Sequence, residues 1–187
     1  MPELLRIASP NDAQQMLEIY APVVWETVIS FELEPPSIVE MQQRIEKTLA
    51  KYPWLVIDDA GHVLGYAYAT AHRDRLAYQW SADVSVYVHP LARRGGLARR
   101  LYTALLKLLR ALGYYNAYAG IALPNEASIK LHEAMGFSQV AIYKQVGFKH
   151  GAWRDVGWWQ LALRKRDNQP APPQLFSDLP KQMEFED

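Results

Sequence analysis

The sequence predicts a mixed α/β layer fold in which helices cover a central, mostly antiparallel sheet. Three observations carry this. The hydrophobic period switches between two and 3.6 in the order β, α, α, β, β, β, α, β, α, β, β. Residues 54–71 split at Asp59-Ala60-Gly61 into two apolar runs, a hairpin signature. Valines 84, 86 and 88 alternate as a strand, and directly after them Leu97, Leu101, Leu105, Leu108, Leu109 and Leu112 recur at helical spacing. At 187 residues and 50% hydrophobic, the chain is expected to form one domain with a real core. That domain is placed at residues 1–165. Residues 166–187 are proline-rich and polar, expected to be an extended or disordered tail.

In chain order, residues 4–8 read as a first strand. Ser9 or Asn11 can cap the following helix, with Pro10 near its first turn. Residues 23–31 are aromatic and β-branched and sit between two helices. They read either as a core-packing loop or as the wall of a small-ligand pocket. Ser37, with Glu40 three residues on, has capping-box spacing for the second helix, and Pro53 stops it. Residues 72–78 form a polar loop with Arg73 and Arg75, and residues 79–88 return as a strand that ends at Pro90. Gly113 suits the end of the leucine helix. A strand at 114–123, a short helix from Asn125 to Gly136, a long strand broken at Gly147, and a last strand at 153–163 complete the domain.

Composition excludes several functions. Twenty basic and twenty acidic residues balance, which argues against a broad nucleic-acid or anionic-membrane surface. The chain has no cysteine, so disulfides, thiolate nucleophiles and cysteine-based zinc sites are ruled out. No metal site is expected. No apolar run nears the roughly 20 residues that span a bilayer. No secretory signal is visible, so a cytoplasmic protein is the expectation.

The strand, turn and helix at 84–112 hold the chemistry. Gly95 and Gly96 free the turn of Cβ atoms, and a helix start offers unpaired N–H groups at its positive end. Arg93, Arg94, Arg99 and Arg100 add charge. A pyrophosphate cradle and plain αβ packing with solvated arginines both fit these residues. It is not a P-loop and not a G-x-G-x-x-G fingerprint.

Arg93-Arg94-Gly95-Gly96-Leu97-Ala98 resembles the [QR]-x-x-G-x-[GA] acyl-CoA motif of the GNAT superfamily of N-acetyltransferases. Asn125 to Ser128 and Met135-Gly136-Phe137 resemble its second cofactor segment. Residues 80–90, His132 to Phe137, and above all Val146-Gly147-Phe148-Lys149-His150-Gly151-Ala152-Trp153 resemble the phosphinothricin and methionine-sulfone acetyltransferases. The likeness covers roughly residues 4–163.

The resemblance implies the superfamily's fold, and acetyl transfer from acetyl-CoA to the free amine of a small amino-acid-like compound. It implies that Val86, Tyr87 and Val88 line the pantetheine and thioester, that Arg93, Arg94, Gly95, Gly96, Leu97, Ala98 and Arg99 take the pyrophosphate, and that Asn125 and Ser128 meet the pantetheine arm. An ammonium acceptor must lose a proton before attack. The subfamily's glutamate is matched here by Asp83, one methylene shorter, as base directly or through water, or only as a substrate-orienting group. His132 occupies the place of a general acid. A structural histidine is the alternative there. Arg73 and Arg75 resemble the carboxylate-binding segment, and Phe31, Tyr78, Trp80 and Ser85 complete the acceptor pocket. A homodimer is implied, with Val156, Trp158, Trp159 and Leu161 as partner face or core. Two rivals remain at this stage: acetylation of a protein or peptide N-terminus, and a non-catalytic acyl-CoA sensor.

Overall fold

A computed structural model describes residues 3–93 and 95–179. Seven strands form one sheet in the order β1-β2-β3-β4-β5-β7-β6. They are β1 (Leu4–Ile7), β2 (Trp54–Asp59), β3 (His62–Ala71), β4 (Ser81–Val88), β5 (Asn116–Ala122), β6 (Ser138–Lys149) and β7 (Ala152–Ala162). Four helices accompany them: α1 (Ala13–Glu26), α2 (Ile38–Leu49), α3 (Leu97–Leu112) and α4 (Glu126–Ala134). Every neighbouring pair is antiparallel except β4 and β5. The mixed, mostly antiparallel sheet flanked by helices is as predicted.

The sheet buries a core on each face, and strand alternation sorts residues between them. α3 turns Leu101, Leu105 and Leu109 onto one face, against Leu55, Ala67, Val84, Ala117 and Ile121. Each fully buried leucine contributes about 2 kcal/mol of transfer free energy. α1 and α2 cover the other face, where Met16, Ile19, Val24 and Ile45 meet Trp54, Val56 and Tyr66. On β4, Ala82 and Val84 belong to the α3 side, so Asp83, Ser85 and Tyr87 point to the α1/α2 side.

Local signals account for most boundaries. Ser37 and Glu40 form the capping box of α2. Gly113 ends α3 in the left-handed region at φ 99°. Arg6 bridges Asp12 and Asp58 at 2.7 and 2.8 Å, tying β1 to the entry of α1 and the end of β2.

Several expectations need correction. Residues 23–26 are not loop: α1 runs through Pro22 to Glu26 because Val24 is fully buried under it. The break in β6 falls at Gln145 (φ 49°), where the Asp155 carboxylate accepts from Gln145 N–H and Lys144 Nζ. Trp159 is core, whereas the exposed apolar residues of this edge are Val140, Ile142, Tyr143, Val146, Phe148 and Trp153. After β7 the chain packs back onto the domain. Gln174 N–H bonds Leu112 O, Phe176 N–H bonds Lys51 O, and the Phe176 ring is buried in the α3-side core. The rest of the predicted tail, from residue 180, lies outside the described residues. No helix among the described residues is long and apolar enough to cross a membrane.

Candidate active site

β4 and β5 are the only parallel neighbours among the described strands, and they stay paired for three residues: Ser81 with Asn116, Ala82 with Ala117, Asp83 with Tyr118. Beyond Asp83 they part. The gap is a cleft lined by Val84, Ser85, Val86 and Tyr87 on one side and by Ala119, Gly120, Ile121 and Ala122 on the other. Backbone groups of β4 that a neighbour strand would satisfy are left for a ligand. Tyr102, Asn125, Ser128 and His132 close the cleft on the α3/α4 side, and Ile29 reaches it from the loop after α1.

At one end of this cleft α3 begins. Gly96 is its N-cap at φ 79°, and no described side chain caps the helix. An added Cβ at Gly96 would meet nothing within 4 Å. The helix start is therefore open, with unpaired N–H groups at its positive end, a shape and charge that fit a pyrophosphate. Arg93 and Arg99 are exposed beside it. Leu97 is buried in the α3-side core and Ala98 half-buried, so these two offer backbone only. Arg94 lies outside the described residues. Arg100 is turned to Glu3, whose carboxylate and carbonyl accept at 3.2 and 3.1 Å.

Asn125 caps α4 by accepting Ser128 N–H at 3.1 Å, which leaves its amide NH₂ for a ligand. His132 is buried behind it. Ser128 O, which can only accept, sits 2.8 Å from His132 Nδ1, so Nδ1 carries the hydrogen. Nε2 then accepts from Tyr102 OH at 3.0 Å. Burial lowers the His132 pKa, favouring this neutral form, and pushes the Tyr102 phenol well up.

The other face of β4 carries Asp83. Asp83 lies opposite Thr70 and beside Tyr118. Its carboxylate is 2.6 Å from His72 Nδ1. Burial raises the Asp83 pKa, and His72 and Arg73 oppose that rise. The His72 ring stacks on Tyr118 at 4.3 Å and meets Trp158 edge-on. The Arg73 guanidinium lies over the Trp158 ring at 5.6 Å. Tyr78, partly exposed, stands 6.1 Å from His72. Two buried indole N–H groups on this side of the sheet, those of Trp54 and Trp158, have no acceptor among the described residues. Arg75 is exposed on the loop. Trp80 is not brought into the group, because its indole N–H is donated to Ala171 O of the C-terminal segment.

The loop from 27 to 37 joins α1 to α2, and the sequence stretch 147–150 holds it. Lys149 is buried, and its ammonium donates to Val24 O at 2.6 Å and Ser30 O at 2.7 Å. His150 Nε2 is 3.2 Å from Thr27 O. Phe31 lies directly over Gly147, where a Cβ would overlap its ring. Sequence reasoning singled out this stretch only as a likeness. Its physical task, clasping the loop that carries Ile29 and Phe31, depends on pairing across the fold. His72 and Tyr118 were not singled out, Trp158 was expected only as partner face or core, Tyr102 was one of several unranked phenols, and Lys149 had no role of its own. His72 follows from the register alone: with Thr70 opposite Asp83, residue 72 falls on the same face two steps later, and that register is seen only in the structure.

A parallel strand pair that parts beside an uncapped, glycine-led helix start is the site of an acyl-CoA-dependent acyltransferase. The chain belongs to the GNAT acetyltransferase family: the family's acetyltransferase domain model matches residues 5–158. It is an N-acetyltransferase. It is 38% identical over 172 residues to the phosphinothricin N-acetyltransferase of Streptomyces viridochromogenes, covering 92% of each chain. It is 34% identical to the L-methionine sulfoximine/L-methionine sulfone acetyltransferase of Salmonella typhimurium, covering 90% of this chain and 97% of that one. Among solved structures, the GNAT phosphinothricin acetyltransferase of Sinorhizobium meliloti in complex with acetyl-CoA superposes with a TM-score of 0.85 at 36% identity, covering 94% and 99% of the two chains.

Proposed function

We propose that the enzyme moves acetyl from acetyl-CoA to the free amine of a small amino-acid-like compound of the phosphinothricin, methionine sulfone or methionine sulfoximine type, by direct transfer within a ternary complex. The observation that carries this is the β4/β5 cleft with a charged group on the other face of the same strand. Val84 to Tyr87 front the β4/β5 gap, while Asp83, His72 and Arg73 gather on the opposite face within a wall of aromatic rings. An amine on one side of the strand is thereby next to a thioester lying along it, and holding two reactants in line removes much of the entropic barrier. With no cysteine in the chain, no acyl-cysteine intermediate can form.

Backbone N–H groups of Val86, Tyr87 and Val88 support the thioester carbonyl as negative charge develops there. The α3 start, with Arg93, Arg94, Gly95 to Ala98 and Arg99, takes the pyrophosphate. Asn125 and Ser128 meet the pantetheine arm. Arg73, with Arg75, attracts the acceptor's carboxylate, since a guanidinium fork matches both oxygens. Phe31, Tyr78 and Ser85 bound the pocket. The geometry of His132 supports a neutral, orienting partner of Tyr102 more than a proton donor to the departing thiolate. The exposed apolar edge of β6 with Trp153 suits a homodimer.

A thiol-release assay with acetyl-CoA against phosphinothricin, methionine sulfone, methionine sulfoximine, ordinary amino acids and a peptide tests the reading. Turnover on the small amino acids supports it. Turnover on the peptide alone, or none with tight coenzyme binding, refutes it.

A further inference from the structure

We propose that His72 is the general base of the reaction and that Asp83 is its orienting partner, a His–Asp dyad standing where a lone carboxylate was expected. This rests on the acceptor reading above. Asp83 Oδ1 is committed to His72 Nδ1 at 2.6 Å, and the side chain is too short to reach far past that partner. The hydrogen bond places the proton on Nδ1 and leaves the lone pair on Nε2, which has no hydrogen-bond partner among the described residues. The ring cannot easily turn, being stacked on Tyr118 and edged by Trp158. The His72 side chain retains 14% exposure and Asp83 27%, so water or an amine can reach the pair. The groups facing His72 are Asp83 from β4, Tyr118 from β5, Trp158 from β7, Tyr78 from the following turn, and Arg73 beside it.

The step balances. The acceptor ammonium gives a proton to His72 Nε2, breaking N–H and forming an imidazolium that the Asp83 carboxylate neutralises. The freed amine forms a bond to the thioester carbonyl carbon, and the C–S bond breaks with its electron pair on sulfur. The second amine proton goes to that thiolate, giving the amide and the free thiol. The imidazolium returns its proton to solvent.

The test is the pH profile of kcat/KM for wild type, His72→Gln and Asp83→Asn, with acetyl-CoA affinity measured alongside. Glutamine can still bond Asp83 but cannot titrate. The expected result is a loss of roughly 10²–10⁴ in kcat/KM at neutral pH for His72→Gln, with the acidic limb of the wild-type profile gone and coenzyme affinity kept. A His72→Gln enzyme with the wild-type rate, or with the same acidic limb in its residual activity, overturns the proposal. Should that variant not fold, nitrogen NMR of the wild-type imidazole decides: the Nδ1–H tautomer supports the dyad, and the Nε2–H tautomer overturns it. Failure of the acceptor reading looks different, because wild type then turns over none of the small amino acids.

Discussion

Replacing Lys149 by methionine isolates the clasp on the acceptor loop. Methionine keeps the length of the side chain and removes its donors. Two buried carbonyls, Val24 O and Ser30 O, then lose their partner. Val24 lies in the last turn of α1, where carbonyls have no intrahelical donor, so no local substitute is available. Each stranded carbonyl costs about 1–3 kcal/mol. Relief from burying an ammonium, whose pKa burial already lowers, offsets part of this. A net loss of about 2–3 kcal/mol in a domain of this size lowers Tm by about 5–10 °C. Because Ile29 and Phe31 ride on this loop, the acceptor KM rises several-fold, while the acetyl-CoA Kd measured by calorimetry stays constant. A Tm within about 2 °C of wild type with an unchanged acceptor KM would refute the clasp.

Three further outcomes are expected. Gly147→Ala pushes the Phe31 ring off its seat and raises the acceptor KM without changing coenzyme affinity; unaltered steady-state constants would show that Phe31 is not a wall. Gly96→Val weakens acetyl-CoA binding at least tenfold, since a branched side chain fills the open helix start and the positive φ itself costs about 1–2 kcal/mol; a folded variant that binds normally places the phosphates elsewhere. Stability falls in acid in two stages. Burial holds the His132 pKa below 6.5, so the unfolded chain takes the extra proton, and that contribution is complete above 6.5 and is lost as pH drops from there. For Asp12, burial raises the pKa but the Arg6 hydrogen bonds outweigh it, so its contribution holds above 3.8 and is lost below. Urea titrations across pH check both stages, and Arg6→Leu should flatten the second; the same acid slope in that variant would show that Asp12 is not responsible.

The sequence alone determined the element order and the two faces of the sheet. Leucine spacing in α3, valine alternation in β4 and the Ser37–Glu40 cap are local patterns, and each boundary they set falls within a few residues of the structure. It also marked the helix start at Gly96, because glycine, charge and a change of period coincide there. Tertiary structure decided what lies across the chain from each of these. The long loop between β3 and β4 hides their register, so nothing in the sequence brought His72 onto Asp83. Likewise Lys149 lies more than a hundred residues from the carbonyls it holds. The cleft itself exists because β4 and β5 part after Asp83, and strand separation is set by packing on both faces of the sheet, not by any one strand's pattern. Local physics writes the elements. Side chains such as Lys149 meet their partners only because distant elements are forced onto one surface.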